Sequence, residues 1–182
     1  FVDFSRESAS HGKNAAPIIF SGECGCWPHI MTDRHVCFKT YPVAPTPYRY
    51  LNSGTWIGKA GPAKEMLHDV MVRAGSNFGN ANDQKLVADM YIAGKHNIAL
   101  DFYNKVFQSM HMTDAPLPHC NPTEDMQLMD GKIWYNRKTK STPKVIHFNG
   151  GGKTVHLKME GGMWWKRAEF KSPSEIQALA SH

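Results

Sequence analysis

The sequence predicts an α/β domain, on two observations. Short apolar runs bounded by Pro and Gly, of strand length, alternate with two stretches whose apolar residues recur at helical spacing. Turn-forming residues punctuate the junctions between them. A length of 182 residues with 41% apolar composition suits one domain able to bury a core.

The elements follow in order. Residues 4–15 are polar and read as a loop or a frayed helix. Pro17-Ile18-Ile19-Phe20-Ser21 is an apolar run bounded by Pro and Gly, consistent with a buried strand. Cys24 to Pro47 carries Pro28, Pro42, Pro45 and Pro47, so it reads as largely irregular. Such a stretch inside a compact domain is usually functional or cross-linked. Tyr50-Leu51-Asn52-Ser53-Gly54 reads as a turn leading into a short strand that ends at Gly58. Pro62 suits a first helical position, Met66, Leu67, Val70, Met71 and Ala74 form an apolar stripe, and Gly75 suits the end of that helix. Asn82-Asp83 suits the start of a second helix, with Leu86, Val87, Met90 and Tyr91 inward and Gly94 at its end. Ile98–Asp101, Lys105–Gln108, Lys132–Tyr135 and Lys144–Phe148 read as strands. Met110 to Asp130 reads as a loop, and Pro173 to Leu179 as a short helix in the tail.

Composition narrows the class. Aromatics at 11%, with five Trp, argue against a solvated disordered chain. No apolar run approaches the ~20 residues of a membrane span. No signal-peptide pattern opens the chain, and a start at Phe1 rather than Met is expected of a trimmed or partial chain. The net charge of +5 permits an anionic partner such as a nucleotide. The tightest basic cluster, Lys158, Lys166, Arg167 and Lys171, is too sparse for a DNA-binding arm, and aromatics are not interleaved with basic residues, so nucleic acid is not expected as a partner.

Four Cys are present, and Cys24, Cys26 and Cys37 are clustered. A disulfide from Cys24 or Cys26 to Cys37 suits an oxidising compartment. His29 and His35 lie between them and also permit zinc, although the paired C-x-x-C spacing of common zinc modules is missing. Asn121-Pro122-Thr123 is blocked as a glycosylation site by its Pro.

Val145-Ile146-His147-Phe148-Asn149-Gly150-Gly151-Gly152-Lys153 is the most informative segment. A strand delivers a His at its end, Gly residues let backbone N–H groups approach an anion, and Lys153 can pair with a phosphate. The spacing is not that of a Walker P-loop. A neutral imidazole there can also bind a divalent metal. The competing reading is a flexible Gly turn beside a half-buried His. Asn82-Asp83-Gln84 places a carboxylate where it can take a hydroxyl proton or bond a sugar, or can simply cap a helix. Asn52-Ser53-Gly54 can bind a polyol or be only a turn. Cys26-Trp27-Pro28 puts a Trp where it can stack on a ring or close the core, with no context that marks Cys26 as an activated thiolate.

Taken in order, Ile19-Phe20-Ser21-Gly22-Glu23, Cys26-Trp27-Pro28, Tyr41-Pro42, Tyr50-Leu51-Asn52-Ser53-Gly54, Ile57-Gly58, Asn82-Asp83-Gln84 and Val145–Gly150 form one pattern. It resembles the glycosyltransferase domain of the procollagen lysyl hydroxylase (multifunctional collagen-modifying) family and related collagen glycosyltransferase-like proteins. The resemblance implies a GT-A-type fold that binds a UDP-sugar with Mn²⁺. It divides the chain into a polar segment at 1–16, the C-terminal portion of a GT-A domain at 17–158, and a tail at 159–182.

The resemblance also implies roles. His147 matches a metal-binding His, and Asn149, Gly150 and Lys153 match the diphosphate-side loop. Asp83 matches an acid near acceptor and donor sugar, flanked by Asn82 and Gln84. Cys26 and Trp27 match a pair lining the active site, and Asn52, Ser53 and Gly54 match a loop near the donor sugar. The implied activity is a metal-dependent, retaining transfer of glucose or galactose from a UDP-sugar to an acceptor hydroxyl. The acceptor is a glycan or protein, with hydroxylysine of a collagen-like protein as the family's example. A secretory-pathway lumen (endoplasmic reticulum or Golgi) or the extracellular space is the implied location.

Two departures stand out. No D-x-D-like acidic pair precedes the Ile18-Ile19-Phe20 strand, so part of the N-terminal nucleotide-binding half is expected to lie outside this chain or on a partner chain. The acidic run before Gln84 is diluted to Asn80-Ala81-Asn82-Asp83. The alternative expectation is a non-catalytic GT-A-derived chain with a structural or binding role in a larger assembly.

Overall fold

The computed structural model describes residues 16–113, 117, 120–131, 133–156 and 159. The polar N-terminal segment, the basic cluster from Lys158 to Lys171 and the expected helix at Pro173–Leu179 lie outside them.

Strand β1 (Ile18–Glu23) is buried along its whole length, as the apolar run Ile18-Ile19-Phe20 predicts for its first half, and the burial extends to Ser21 and Glu23. It is the centre of a three-stranded sheet, antiparallel to β2 (Tyr50–Gly58) and parallel to β3 (Ile98–Asp101). A parallel neighbour requires a crossover, and the chain supplies it with two helices after β2. Helix α2 (Ala60–Ala74) and helix α3 (Asp83–Ile92) follow a short helical segment at His29–Thr32, α1. Met66 and Val70 of α2, Val87 and Met90 of α3, and Phe20 and Leu100 of the sheet share one core.

Helix α2 starts at Ala60, ahead of the expected position, which leaves Pro62 in the first turn where its missing N–H has no partner to lose. Gly75 ends it, donating its N–H to Met71 O. The buried face is Ala63, Met66, Val70 and Ala74, spaced three and four apart. Leu67 and Met71, expected inward, are 45% and 58% exposed, because each lies one residue, about 100° of helix, past that face. In α3, the Asn82 side chain accepts the Lys85 N–H at 2.9 Å, and Leu86 and Tyr91 pack at the core's edge.

The Pro-rich stretch is more ordered than expected. It contains α1 and a π-helical turn at Val36–Thr40, and the Cys26–Cys37 disulfide ties the two together. Cys24 bonds Cys120 across 96 positions. With all four Cys in disulfides, the zinc reading of that segment is overturned.

The expected loop from Met110 to Asp130 also holds regular structure. Pro122–Asp125 is a short helix, α4, and Met126–Met129 is a strand, β5, that forms a hairpin with β6 (Ile133–Asn136). Met-Gln-Leu-Met has no β-branched residue to signal a strand; pairing with β6 makes it one.

Strand β4 (Phe107–Ser109) pairs in parallel with β7 (Val145–His147). The Asp101 carboxylate builds the turn into β4 by accepting the N–H groups of Lys105, Val106 and Phe107 at 2.8–3.0 Å. A hydroxyl pair, Ser21 Oγ and Ser109 Oγ at 2.8 Å, joins β4 to β1. The carboxyl ends of β1, β4 and β7 thereby open on one cleft, the usual place for a ligand in an α/β sheet.

Candidate functional site

The cleft has a volume of about 550 Å³. Its floor is Glu23, the last residue of β1, and His147, the last residue of β7, faces it. The Asn52-Ser53-Gly54 wall comes from a break in sheet register. Phe20 pairs with Trp56 but Ser21 with Asn52, so Ser53, Gly54 and Thr55 bulge out of β2 beside the cleft. Bulges of this kind re-aim side chains at sites.

Glu23 is the hub, and its importance was not visible in the sequence beyond its place in the Ser21-Gly22-Glu23 block. Its side chain is almost wholly buried, yet both carboxyl oxygens are bonded. Gln84 Nε2 donates to Oε1 at 2.7 Å, and Asn149 Nδ2 donates to Oε2 at 2.6 Å. Neither amide is free to turn. Gln84 Nε2 also donates to Trp27 O at 3.0 Å, while Asn149 Oδ1 accepts the N–H groups of Met110 and His111 at 3.0 and 3.1 Å. Burial pushes the Glu23 carboxyl up to about 7, against the opposing hydrogen bonds of Gln84, Asn52 and Asn149.

His147 is fixed by the bulge. Its Nδ1 lies 3.1 Å from Asn52 Oδ1, which also accepts the Gly54 N–H at 3.0 Å. An amide oxygen only accepts, so Nδ1 carries the proton and Nε2 keeps its lone pair. Burial first, and then the Lys153 charge, lower the His147 pKa and hold the ring neutral. A Cβ at Gly54 would lie 2.2 Å from His147 Cε1, so only Gly lets the imidazole sit there.

A neutral imidazole whose other nitrogen is held by an amide oxygen is the form in which His binds a metal. It is one ligand. Among the described residues, no group of three His, Cys, Asp or Glu side chains comes together as a metal site. The described residues thus offer a divalent cation one imidazole, and its other ligands would come from elsewhere.

The remaining expected residues divide clearly. Asp83, at the start of α3, accepts a 2.7 Å hydrogen bond from Ser53 Oγ, and both line the cleft with Gln84. Trp27 lines it at 49% exposure, and Asn149 and Gly150 close its other side. Asn82 is spent on capping α3 and does not line the cleft. Lys153 is exposed and does not line it either, acting on the site through its charge on His147. Cys26 is buried and bonded to Cys37, so it offers no free thiol, and it adjoins the cleft residue Trp27.

The Gly-rich segment is no loose turn. Gly150 to Val155 is a 3₁₀ segment, and a Cβ at Gly152 would lie 2.6 Å from Met110 O. One further cleft residue, His111, carried no sequence signal, since it lies in the stretch read as loop.

Two comparisons with known proteins bear on this site. The pattern of a family described as the PLOD GT domain matches residues 6–161, which include every cleft residue named above. An uncharacterized protein of Acanthamoeba polyphaga mimivirus is 28% identical over 144 residues, covering 79% of this chain and 27% of the viral protein. The chain therefore spans about a quarter of that relative's length. The mixed α/β architecture agrees with the GT-A-like fold that the sequence pattern implies.

Proposed function

This chain belongs to the PLOD GT domain family, a glycosyltransferase-type domain, and from that premise we propose that its cleft transfers a hexose from a UDP-sugar to an acceptor hydroxyl with a divalent cation, Mn²⁺, bound at His147. The observation that carries the proposal is the convergence of Glu23, Asn52, Asp83, Gln84, His147 and Asn149 on one cleft at the carboxyl ends of β1 and β7.

Each residue then has a task. His147 offers a lone pair at Nε2, and Asn52 keeps the ring from turning it away. When bound, the cation supplies Lewis-acid stabilisation of the departing diphosphate. Gly150 and the residues after it form the diphosphate side, where Lys153 adds positive charge. Trp27, half exposed above the cleft, offers an aromatic face to the sugar. Asp83, oriented by Ser53, receives or orients the acceptor hydroxyl. Glu23 holds Gln84 and Asn149 in fixed positions, so the two sides of the cleft keep their spacing.

The donor hexose is glucose or galactose, and the acceptor a glycan or protein with hydroxylysine of a collagen-like protein as the leading candidate. The domain proper runs from 17 to 158. Two disulfides support an oxidising compartment, the lumen of the secretory pathway or the extracellular space. No helix among the described residues is long and apolar enough to cross a membrane.

The test is turnover of UDP-glucose and UDP-galactose with Mn²⁺ by the full-length protein and by His147→Ala. The wild type is expected to release UDP, and the variant to lose most of that activity. Equal activity in both would remove His147 from the reaction, and no turnover by either would favour a non-catalytic chain.

A further inference from the structure

His111 lies two residues past β4, and its ring rests on the Gly150-Gly151 backbone. A Cβ added at Gly150 would lie 2.6 Å from His111 Nδ1. The Gly151 N–H donates to that same Nδ1 at 3.2 Å. A nitrogen that accepts a hydrogen bond has no proton of its own, so the neutral ring carries its proton on Nε2. Burial lowers the pKa of His111 and favours that neutral ring. Its backbone N–H is bonded to Asn149 Oδ1 at 3.1 Å, so chain and ring are both fixed to the diphosphate side of the cleft.

The opposite edge of the ring, Cδ2 and Nε2, passes beside Gly25, where a Cβ would lie 2.8 and 3.4 Å from those atoms. No hydrogen bond occupies Nε2 among the described residues. The two imidazoles of the cleft thus have opposite tautomers. His147 presents a lone pair at Nε2, and His111 presents an N–H at Nε2. A polar N–H held at the wall of a cleft, with its ring locked from the other side, is built to meet an acceptor that arrives with the ligand.

We infer that His111 is a further donor-binding residue, whose Nε2–H donates a hydrogen bond to a diphosphate oxygen of the nucleotide-sugar. The inference rests on the proposed donor class. It adds to it a specific contact from a residue that no motif in the sequence marks.

Two substitutions separate binding from support. Gln places an amide N–H near the position of Nε2 but cannot accept from Gly151 in the same way. Asn keeps an acceptor near the position of Nδ1 but does not reach the ligand. UDP binding in the presence of Mn²⁺ is measured by calorimetry on the full-length wild type, His111→Ala, His111→Asn and His111→Gln. Thermal unfolding confirms that each variant is folded. Loss of a hydrogen bond to a charged group weakens binding on the order of tenfold to a hundredfold. Ala and Asn are expected to show that loss, and Gln to recover most of it. Recovery by Asn but not Gln would make His111 a prop for the glycine segment and overturn the contact. Wild-type affinity in all variants would overturn it as well, leaving the donor reading intact. Failure of the wild type to bind UDP would overturn the donor reading and this inference with it.

Discussion

Asn149 Nδ2 donates to Glu23 Oε2 at 2.6 Å, joining the end of β1 to the start of the glycine segment across 126 positions. The bond is short, and its acceptor is a buried carboxyl that burial raises to about 7 from an ordinary 4.5. A raised carboxyl binds its proton more tightly in the folded chain than in the unfolded one. The stability it contributes is therefore fully present below about pH 4.5 and is lost as pH rises through about 7. At about 1.4 kcal/mol per pKa unit, the loss is on the order of 3 kcal/mol. Urea unfolding across this range should show wild-type stability falling with pH, and Glu23→Gln should flatten that slope. The variant should also carry a pH-independent penalty of about 1–3 kcal/mol, because its new N–H₂ meets Gln84 or Asn149, both already committed as donors. Identical slopes would show that Glu23 does not titrate there.

Gly54 tests the placement of His147 without replacing the candidate ligand or the candidate acid. A Cβ there would meet His147 Cε1 at 2.2 Å and Asn52 Oδ1 at 3.1 Å. The imidazole must shift, and the bulge between the Phe20–Trp56 and Ser21–Asn52 pairs lies partly exposed, with Gly54 at its most exposed point. Gly54→Ala should keep the fold while raising the Mn²⁺ concentration needed for half-maximal UDP release by roughly tenfold or more, the usual effect of disturbing a ligand's outer partner. An unchanged Mn²⁺ requirement, with the fold confirmed by circular dichroism, would detach the bulge from metal binding.

What the sequence made legible was local. Periodicity located both long helices, Gly75 and Gly94 marked their ends, and Asn82 announced its own cap. The apolar run Ile18-Ile19-Phe20 signalled a buried strand because such a strand has no solvent face to alternate with. Asp83, His147 and Asn149 entered through motif order, and the fold brings them to one cleft. What stayed hidden is non-local. Glu23 looks like any strand-end acid until Gln84 and Asn149 arrive from distant segments to desolvate and bond it. The same holds for His111, which is a cleft residue only because β4 lies beside β7. The partner of Cys24 is Cys120, a pairing that spacing cannot select.

Asn82 separates a structural role from a binding one. Its Oδ1 accepts the Lys85 N–H at 2.9 Å, and it stands outside the cleft. Asn82→Ala should cost about 1 kcal/mol of stability, the usual worth of such a cap. Chemical denaturation reads that loss. The KM for UDP-sugar should stay within about twofold, since the substitution removes no group that reaches the cleft and 1.4 kcal/mol would be needed for a tenfold change. A large rise in KM would return Asn82 to the donor site.

Cys26 adjoins Trp27 and is sealed in a disulfide with Cys37, one of the two pairings the sequence leaves open. A catalytic thiol would require free sulfur, and the folded chain offers none among its four Cys. The disulfide closes a short loop, 11 positions apart, for which chain-entropy reasoning gives about 3 kcal/mol. The same loop carries Trp27 and the backbone oxygen that Gln84 Nε2 bonds at 3.0 Å, so loosening it reaches the cleft through two contacts. The double variant Cys26→Ser with Cys37→Ser should therefore unfold at lower denaturant and turn over UDP-sugar more slowly, with activity retained. Iodoacetamide should label no Cys in the folded wild type. Complete loss of turnover in a variant that remains folded, or ready alkylation of Cys26, would bring a thiol into the chemistry; partial activity places its contribution in the geometry of the Trp27 loop.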